Sequence, residues 1–220
     1  MYTQRNQRKN HIDLKKIFPN ELNSRNIVAV PGTVFAFDLC QLKTKNRKKP
    51  KDSFSVLFGL DHATNLIILF TIFVIPNAKK GQVSAKKVVN AMRESLSELT
   101  LASPFIIHTD RGPQFTSQEY HDFIRDIGAI GSMSDPSSPT QNSLPERLIR
   151  TIRDQLKYLC GEFPLFVNSL TELQAFATKK KLAHNHEFKP KRACGLTPVH
   201  FDKVLQSAFC AFSTYNLEQP

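Results

Sequence analysis

The sequence predicts an α/β domain in which helices flank a mixed five-stranded sheet. Three apolar segments with the pattern of strands follow one another at short intervals between residues 33 and 75. After residue 84, apolar residues recur every three to four positions, and short apolar runs separate these helical stretches. Strands with short connections form antiparallel meanders, whereas strands that alternate with helices add parallel neighbours to a sheet. We therefore expect a three-stranded meander that two parallel strands extend.

The first strand follows the turn pair Pro31-Gly32 and covers 33–42, with Phe35, Phe37 and Leu39 on one face. Further strands are predicted at 54–60, 66–75, 104–107 and 131–135. Helices are predicted after a cap at Ser84, after a capping box of Thr116 and Glu119, over 145–160 with Pro145 in the first turn, and over 170–184. Residues 136–144 have the composition of a loop.

The chain divides into three parts by composition. Residues 1–29 are polar and basic, with a short amphipathic pattern at most, and are interpreted as an arm or linker. Residues 30–205 contain the predicted strands and helices and form the core, and 206–220 are expected to be a tail. A core of this size suits a chain of 220 residues with 40% hydrophobic and 22% charged residues, which is not the composition of a disordered protein.

A net charge of +11 and an isoelectric point near 9.6 favour a polyanionic partner. Residues 1–60 carry +8, residues 61–146 carry −2 and residues 147–220 carry +5. An acidic centre between basic ends suits a metal site set among phosphate-binding surfaces. Solvated lysines on an ordinary basic protein explain the same numbers equally well.

Several protein classes are excluded. The longest apolar run, 66–75, is too short to span a bilayer, and the N-terminus lacks the apolar segment of a secretory signal, so no membrane partner is expected. Four widely spaced cysteines without a C-x-x-C pair indicate neither a disulfide framework nor a zinc site, and favour a reducing compartment. A zinc site is a weaker alternative, and it would draw on His184, His186, Cys194 and His200.

Three acidic residues stand where side chains tend to be functional. Asp38 interrupts an apolar strand, Asp110 follows the end of a buried strand, and Glu146 begins a helix after a loop. Carboxylates from such places can converge on one cleft, where magnesium would compensate their charge. Any one of them could equally be a strand-end cap, and Asp61 is a weaker substitute for Asp38.

Around these carboxylates the sequence resembles retroviral integrases and insertion-sequence transposases. Asp110 and Glu146 have the family's D-35-E spacing, with 35 residues between them. Residues 31–38 resemble its P-G-x-x-W-x-x-D strand, residues 61–65 its D-x-x-S-R segment, and residues 108–117 its H-S/T-D-x-G-x-x-F/Y-x-S segment. Residues 142–151 resemble N-G-x-x-E-R-x-x-x-T, and residues 185–198 resemble the closing Y-N…L-G-x-T-P. These motifs occur in order over roughly 30–202, with Phe35, Cys40, Asn65 and Ser143 as departures.

The resemblance implies a ribonuclease-H-like fold and a site in which Asp38, Asp110 and Glu146 bind two Mg²⁺ or Mn²⁺ ions. It implies cleavage at DNA ends followed by strand transfer to target DNA, with activity in a homodimer or larger multimer. Motif residues expected to support the site are His108, Gly112, Asn142 and Arg147. A nuclease that cuts without joining, and a degenerate core that only binds DNA or a partner, are the alternatives.

Two basic surfaces are predicted to bind DNA. Arg150, Arg153 and Lys157 share one helical face with Glu146, as the i, i+4, i+7, i+11 spacing requires, although an ordinary solvated face would look the same. The second surface is a predicted exposed hairpin tip at 43–51, with Lys45, Arg47, Lys48 and Lys49, for which a solubilising loop is an equal alternative. We find no zinc-binding or helix-turn-helix segment before residue 30, so recognition of DNA ends is expected to need another subunit or an upstream segment.

Overall fold

The computed structural model describes residues 18–24, 30–76, 82–134 and 144–217, and at 144–149, 192 and 209–217 it describes the backbone alone. The strands are β1 (Val34–Leu42), β2 (Lys45–Asn46), β3 (Ser53–Asp61), β4 (Ile67–Ile75), β5 (Ile106–Thr109), β6 (Ile130–Met133) and β7 (Phe166–Val167). The helices are α1 (Glu21–Ser24), α2 (Ala85–Ser97), α3 (Gln118–Asp126), α4 (Leu144–Gly161), α5 (Leu170–Glu187) and α6 (Pro198–Leu217).

Five of the strands form the predicted mixed sheet, in the order β4-β3-β1-β5-β6. β1, β3 and β4 are the antiparallel meander, while β5 pairs parallel with β1 and β6 pairs parallel with β5. The fold class is thereby confirmed. The arrangement places the carboxyl ends of β1, β5 and β6 at one edge, where sites form in open α/β sheets.

Each face of the sheet carries its own hydrophobic core. Alternation along β1 sends Phe35 and Phe37 to the face covered by α2 and α3, where Met92 and Phe123 are buried with them. The even-numbered residues of β1 point to the opposite face, which α4 and α5 cover. Asp38 has an even number, so the backbone pattern alone assigns it to the side of α4.

The turn before β1 explains the Pro-Gly pair. Gly32 has a φ of 77°, in the left-handed region where a side chain is disfavoured. Its N–H donates to a carboxylate oxygen of Asp61 over 2.9 Å, and its carbonyl accepts from the N–H of Ala102 over 3.2 Å. The turn therefore ties the start of β1 both to the end of β3 and to the segment before β5.

Some local predictions were wrong or incomplete. Helix α3 is capped by Ser117, whose hydroxyl accepts from the N–H of Tyr120 over 3.2 Å, and not by Thr116, whose hydroxyl donates to the Gly112 carbonyl. Residues 43–51 are not a free hairpin tip, because β2 lies within them and pairs parallel with β7. Neither β7 nor α6 was predicted, and α6 crosses the expected boundary at 205.

Residues 18–24 pack on the core although they belong to the predicted arm. Leu22 is buried, and the ring of Phe18 stacks on His121 with centroids 4.3 Å apart. The N–H of Glu21 donates to the hydroxyl of Ser132 over 3.1 Å, which joins α1 to β6. The domain limits themselves stay a prediction.

No helix in the described segments is both long enough and apolar enough to cross a bilayer.

Candidate active site

Asp38 lies near the middle of β1 and is 2% exposed. Its backbone pairs with Phe58 on β3, and its side chain faces the side of the sheet on which α4 packs. Burial disfavours the charged form of a carboxylate this deep in a sheet, so the charge has to be stabilised by hydrogen-bond donors, a positive side chain or a metal.

Asp110 is brought next to Asp38 by the parallel register of two neighbouring strands. Val34 pairs with Ile106, Phe35 with Ile107 and Ala36 with His108. Continued by two residues, this register sets Asp110 level with Asp38. Asp110 directly follows β5 and is half-buried, so its carboxylate lies at the mouth of the site, whereas that of Asp38 lies inside it.

The two carboxylates line one cleft, which has a volume of about 570 Å³. Its floor is β1, and α4 forms the opposite wall through Arg153, Lys157 and Cys160. Apolar side chains complete the lining, namely Leu39, Leu156, Phe163 and Leu165. The cleft is therefore lined by acidic side chains from β1 and the residue after β5, by basic side chains from α4, and by apolar side chains.

The surroundings of Asp38 raise the pKa of its carboxyl group and thereby disfavour its charged form. Burial raises the pKa of Asp38 above its ordinary value, and the neighbouring charge of Asp110 raises the pKa further. Arg153 opposes both effects, since its Nε donates to a carboxylate oxygen of Asp38 over 3.2 Å. Because the Arg153 side chain is 62% exposed, this ion pair is accessible to water and to competing ligands.

Two cysteines stand on opposite walls of the cleft. Cys40 lies two residues beyond Asp38 on β1, and Cys160 lies near the end of α4. Burial raises the pKa of Cys40 to about 11 and that of Cys160 to about 12. Both groups are therefore neutral thiols at physiological pH in the described structure.

The loop after β5 holds Asp110 in place. The N–H of Gly112 donates to Asp110 Oδ1 over 2.9 Å, and a Cβ added to Gly112 would lie 3.0 Å from that oxygen. Arg111 fastens the loop to the end of β6, because its Nε donates to the carbonyl of Ser134 over 2.8 Å. A side chain at 112 would crowd the carboxylate, which explains why glycine occupies this position of the motif.

His108 is a supporting residue inside the sheet. It is fully buried in β5, with Nδ1 3.0 Å from the hydroxyl of Ser132 and Nε2 3.0 Å from that of Ser134. Ser132 lies in β6, and Ser134 directly follows that strand. His108 thus fixes the ends of β5 and β6 together, and it does not line the cleft.

Asp61, the alternative to Asp38, has a structural role instead. Its carboxylate accepts from the N–H groups of Gly32 and Thr64 and from the Thr64 hydroxyl, at 2.8 to 2.9 Å. The zinc alternative also lacks support, since no group of three or more His, Cys, Asp or Glu side chains among the described residues is placed to hold a metal ion. His184 lies instead in the core, with Nε2 3.1 Å from the Asn65 carbonyl oxygen.

The other predicted residues are only partly described. Glu146 and Arg147 belong to the first turn of α4, but their side chains lie outside the described residues, and so does Asn142 entirely. Arg150 is exposed on α4. Lys45, Arg47, Lys48 and Lys49 are exposed on and beside β2. Their roles in binding DNA or metal stay predictions.

Asn185 begins the last of the family-like motifs, but no role was predicted for its side chain. The side-chain amide of Asn185 accepts from the N–H of Ile67 and donates to the carbonyl of Ile67, both over 2.9 Å. This pairing docks α5 onto the first residue of the edge strand β4.

The fold has clear counterparts among solved structures. A simian T-cell lymphotropic virus intasome in complex with a PP2A regulatory subunit contains a chain that superposes with a TM-score of 0.57 and 16% identity, over 80% of this chain and 55% of that one. The catalytic core domain of human T-cell leukemia virus 2 integrase in complex with magnesium superposes with a TM-score of 0.50 and 20% identity, over 79% and 97%. The chain has the ribonuclease-H-like fold of an integrase catalytic core.

Sequence similarity leads to the same group of proteins. The transposase of insertion sequence element IS904 from Lactococcus lactis is 24% identical over 138 residues, which are 63% of this chain and 50% of that transposase. The Gag-Pro-Pol polyprotein of human T-cell leukemia virus 2 is 35% identical over 92 residues, or 40% of this chain and 6% of the polyprotein. No family model matches the sequence. The chain thus spans half of the transposase it resembles and a small part of the polyprotein.

The described donor set fits a divalent cation. Asp38 and Asp110 offer the hard carboxylate oxygens that Mg²⁺ and Mn²⁺ take as ligands. A bound cation would relieve the mutual repulsion of the two charges, and Arg153 already supplies one positive charge to Asp38.

Proposed function

We propose that this chain is the catalytic core of an enzyme for DNA integration or transposition. Its reaction is metal-dependent cleavage of phosphodiester bonds and transfer of the resulting strand end to target DNA. The observation that carries the proposal is the juxtaposition of Asp38 and Asp110 in one cleft of an integrase fold. The relatedness to a transposase and to a retroviral polyprotein supports the same conclusion.

Asp38 and Asp110 would hold the metal, with Glu146 from the first turn of α4 as the third ligand. Divalent ions in such a site activate an attacking oxygen and stabilise the leaving oxygen in phosphodiester displacement. Because Asp38 is buried in β1, it would hold a metal ion close to the sheet. The bond from Gly112 fixes the orientation of the Asp110 carboxylate, so that little rearrangement is needed on loading.

Arg153 would change partner when the site is loaded. In the described structure its guanidinium lies on Asp38, and a metal ion would remove the need for that contact. The released guanidinium would lie on the same wall as Lys157, where both can hold phosphates of the DNA backbone. Arg150, exposed on the same helix, extends this basic surface away from the cleft.

The proposal is tested with labelled DNA ends and Mg²⁺ or Mn²⁺, comparing the wild type with Asp110→Asn. We expect metal-dependent cleavage and joining by the wild type and loss of both in the variant, since the amide is a poor metal ligand. Asp154→Asn, which removes an exposed carboxylate from α4, is the matched control and should retain activity.

Metal binding itself is measured by isothermal titration calorimetry with Mn²⁺. Asp110→Asn should abolish the heat of binding, and Asp154→Asn should not. Cleavage without joining would identify the chain as a nuclease, and DNA binding with neither activity would identify a core that only binds. Either result would overturn the proposal.

A further inference from the structure

A second groove opens beside the candidate active site. It has a volume of about 1220 Å³, and Gln41, Lys43 and Leu165 line both this groove and the cleft that contains Asp38. The two depressions are therefore adjacent, and the second lies between the candidate active site and the basic segment at 43–51. We call this second depression the lysine groove and define it by Lys43, Lys45, Lys51, Leu165 and Phe166, with Asp52 as its acidic lining residue.

The lysine groove has a rigid frame. The N–H of Lys45 donates to the Leu165 carbonyl over 3.0 Å, and the N–H of Arg47 donates to the Val167 carbonyl over 2.8 Å. The hydroxyl of Thr44 donates to the Pro164 carbonyl. Paired in this way, the basic segment is not the freely moving loop that a purely solubilising role would allow.

The backbone pairing also determines which side chains of the segment 43–47 are buried and which are exposed. Thr44 and Asn46 are buried, whereas Lys43, Lys45 and Arg47 are exposed. The Asn46 side-chain oxygen accepts from the N–H groups of Lys48 and Lys49, at 2.9 and 3.3 Å. Alternate residues therefore anchor the segment and present a row of cations along one side.

An exposed apolar surface accompanies these cations. Leu165 is 74% exposed and Phe166 is 49% exposed, although Phe166 pairs with Lys45 in the β2–β7 ladder and Leu165 directly precedes it. The guanidinium carbon of Arg47 lies 5.7 Å from the centroid of the Phe166 ring, which leaves half of the residue accessible. Exposed aromatic surface next to lysine and arginine is the combination that binds unpaired nucleotides, where bases stack and phosphates meet cations.

We propose that the lysine groove binds a single-stranded segment of the DNA on which the active site acts, with a base stacked on Phe166. The inference rests on the proposed function, because the groove adjoins a cleft assigned to DNA. Duplex DNA would engage the lysines but would leave the apolar surface of Leu165 and Phe166 without a partner. A symmetric contact between two copies would bring Lys43, Lys45 and Lys51 of both copies together, and like charges oppose it.

The test is fluorescence anisotropy of the full chain with a labelled oligothymidine and with a labelled duplex of equal charge. Phe166→Ala should weaken binding of the single strand roughly 5- to 150-fold, as loss of one stacked base predicts, and should leave duplex affinity unchanged. Phe166→Tyr should restore single-strand affinity, because the ring is kept. Tyr158→Ala, which removes a 67% exposed aromatic residue of α4 outside both depressions, is the matched control.

Salt dependence separates the electrostatic and the stacking interactions. Lys45→Gln should reduce the slope of log affinity against log salt by about 0.7 on the single strand, whereas Phe166→Ala should not change the slope. Equal weakening of single strand and duplex by Phe166→Ala would overturn the proposal. An unchanged single-strand affinity of Phe166→Ala would also overturn the proposal. This holds even if light scattering shows that the variant has a different oligomeric state.

The outcome is independent of the catalytic test. If joining requires Asp110 while Phe166→Ala has no effect on single-strand binding, the lysine groove is wrong and the proposed function stands. If Phe166 governs single-strand binding in a chain that neither cuts nor joins, the groove stands and the proposed catalysis fails.

Discussion

Asp38 and Asp61 lie on the neighbouring strands β1 and β3, and each is 2% exposed. They differ in what their carboxylates contact. The oxygens of Asp61 accept hydrogen bonds from the backbone N–H groups of Gly32 and Thr64, and these bonds only partly offset the rise in pKa that burial causes. Asp38 contacts an exposed arginine, and the neighbouring charge of Asp110 raises its pKa further. Two equally buried aspartates thus have different partners: Asp61 is hydrogen-bonded within a turn, and Asp38 forms an ion pair in the candidate site.

This difference leads to a prediction for Asp61. Asp61→Ala should lower the free energy of unfolding by about 2–4 kcal/mol, because the variant leaves the N–H groups of Gly32 and Thr64 buried without an acceptor. Urea denaturation measures the loss. Mn²⁺ affinity of the folded variant should equal that of the wild type, and a stable variant that no longer binds metal would instead make Asp61 the ligand.

At the scale of elements, α5 is joined to the edge strand β4 by polar contacts. Asn185 pairs with both backbone groups of Ile67, and His184 makes its contact with Asn65, a residue with a left-handed φ of 62° at the end of the turn. The ring of His184 also stacks on Phe188, with centroids 4.8 Å apart. These contacts hold the start of β4, which is an edge strand of the five-stranded sheet.

The contact of His184 predicts a pH dependence of stability. Burial lowers the pKa of His184 below its ordinary value of 6.5, and the hydrogen bond to Asn65 only partly offsets this. Between the lowered pKa and 6.5 the unfolded chain binds a proton that the folded chain does not. Stability should therefore be complete above pH 6.5 and should fall as the pH drops below it.

Urea denaturation between pH 7.5 and 5 measures this slope. His184→Gln should flatten it, because the titrating group is gone, while His186→Gln on the exposed side of the same helix should retain it. An unchanged slope in His184→Gln would show that another group causes the acid sensitivity.

At the scale of the whole molecule, the net charge of +11 has a definite distribution. One part lines the wall of the cleft on α4, and another forms the lysine groove beside β2 and β7. The acidic residues near these surfaces include Asp38 and Asp110, which line the cleft. The described part of the molecule thus presents cations beside a small acidic centre, which agrees with the proposed metal-dependent action on a polyanion.

The cleft wall should determine the salt dependence of DNA binding. Arg150→Ala combined with Arg153→Ala should weaken duplex binding and reduce the salt slope by about 1 for each DNA phosphate that the protein no longer neutralises. Lys203→Ala, an exposed position on α6, is the control and should leave the slope unchanged. Anisotropy titrations at increasing salt test this, and an unchanged slope in the double variant would show that α4 does not contact phosphates.

Local sequence patterns were sufficient to predict the five strands of the main sheet, helices α2 to α5, the mixed sheet and the candidate carboxylates, but not β2, β7 or α6. The predicted features follow from local periodicity, such as the alternation of Phe35 and Phe37, and from motif residues at fixed spacing around Asp110. The capping of α3 by Ser117 was missed because Thr116 satisfies the same local pattern.

Which side chains contact one another could not be read from the sequence and follows from the packing of distant segments. The parallel register of β1 and β5 sets Asp38 beside Asp110, and the contact of Arg153 with Asp38 joins residues 115 positions apart. The pairing of β2 with β7 places the basic segment along one side of the lysine groove and leaves Phe166 exposed beside it. Such contacts depend on how distant segments pack, because the energy that fixes them comes from burial and backbone pairing across the sheet and not from the pattern of neighbouring residues.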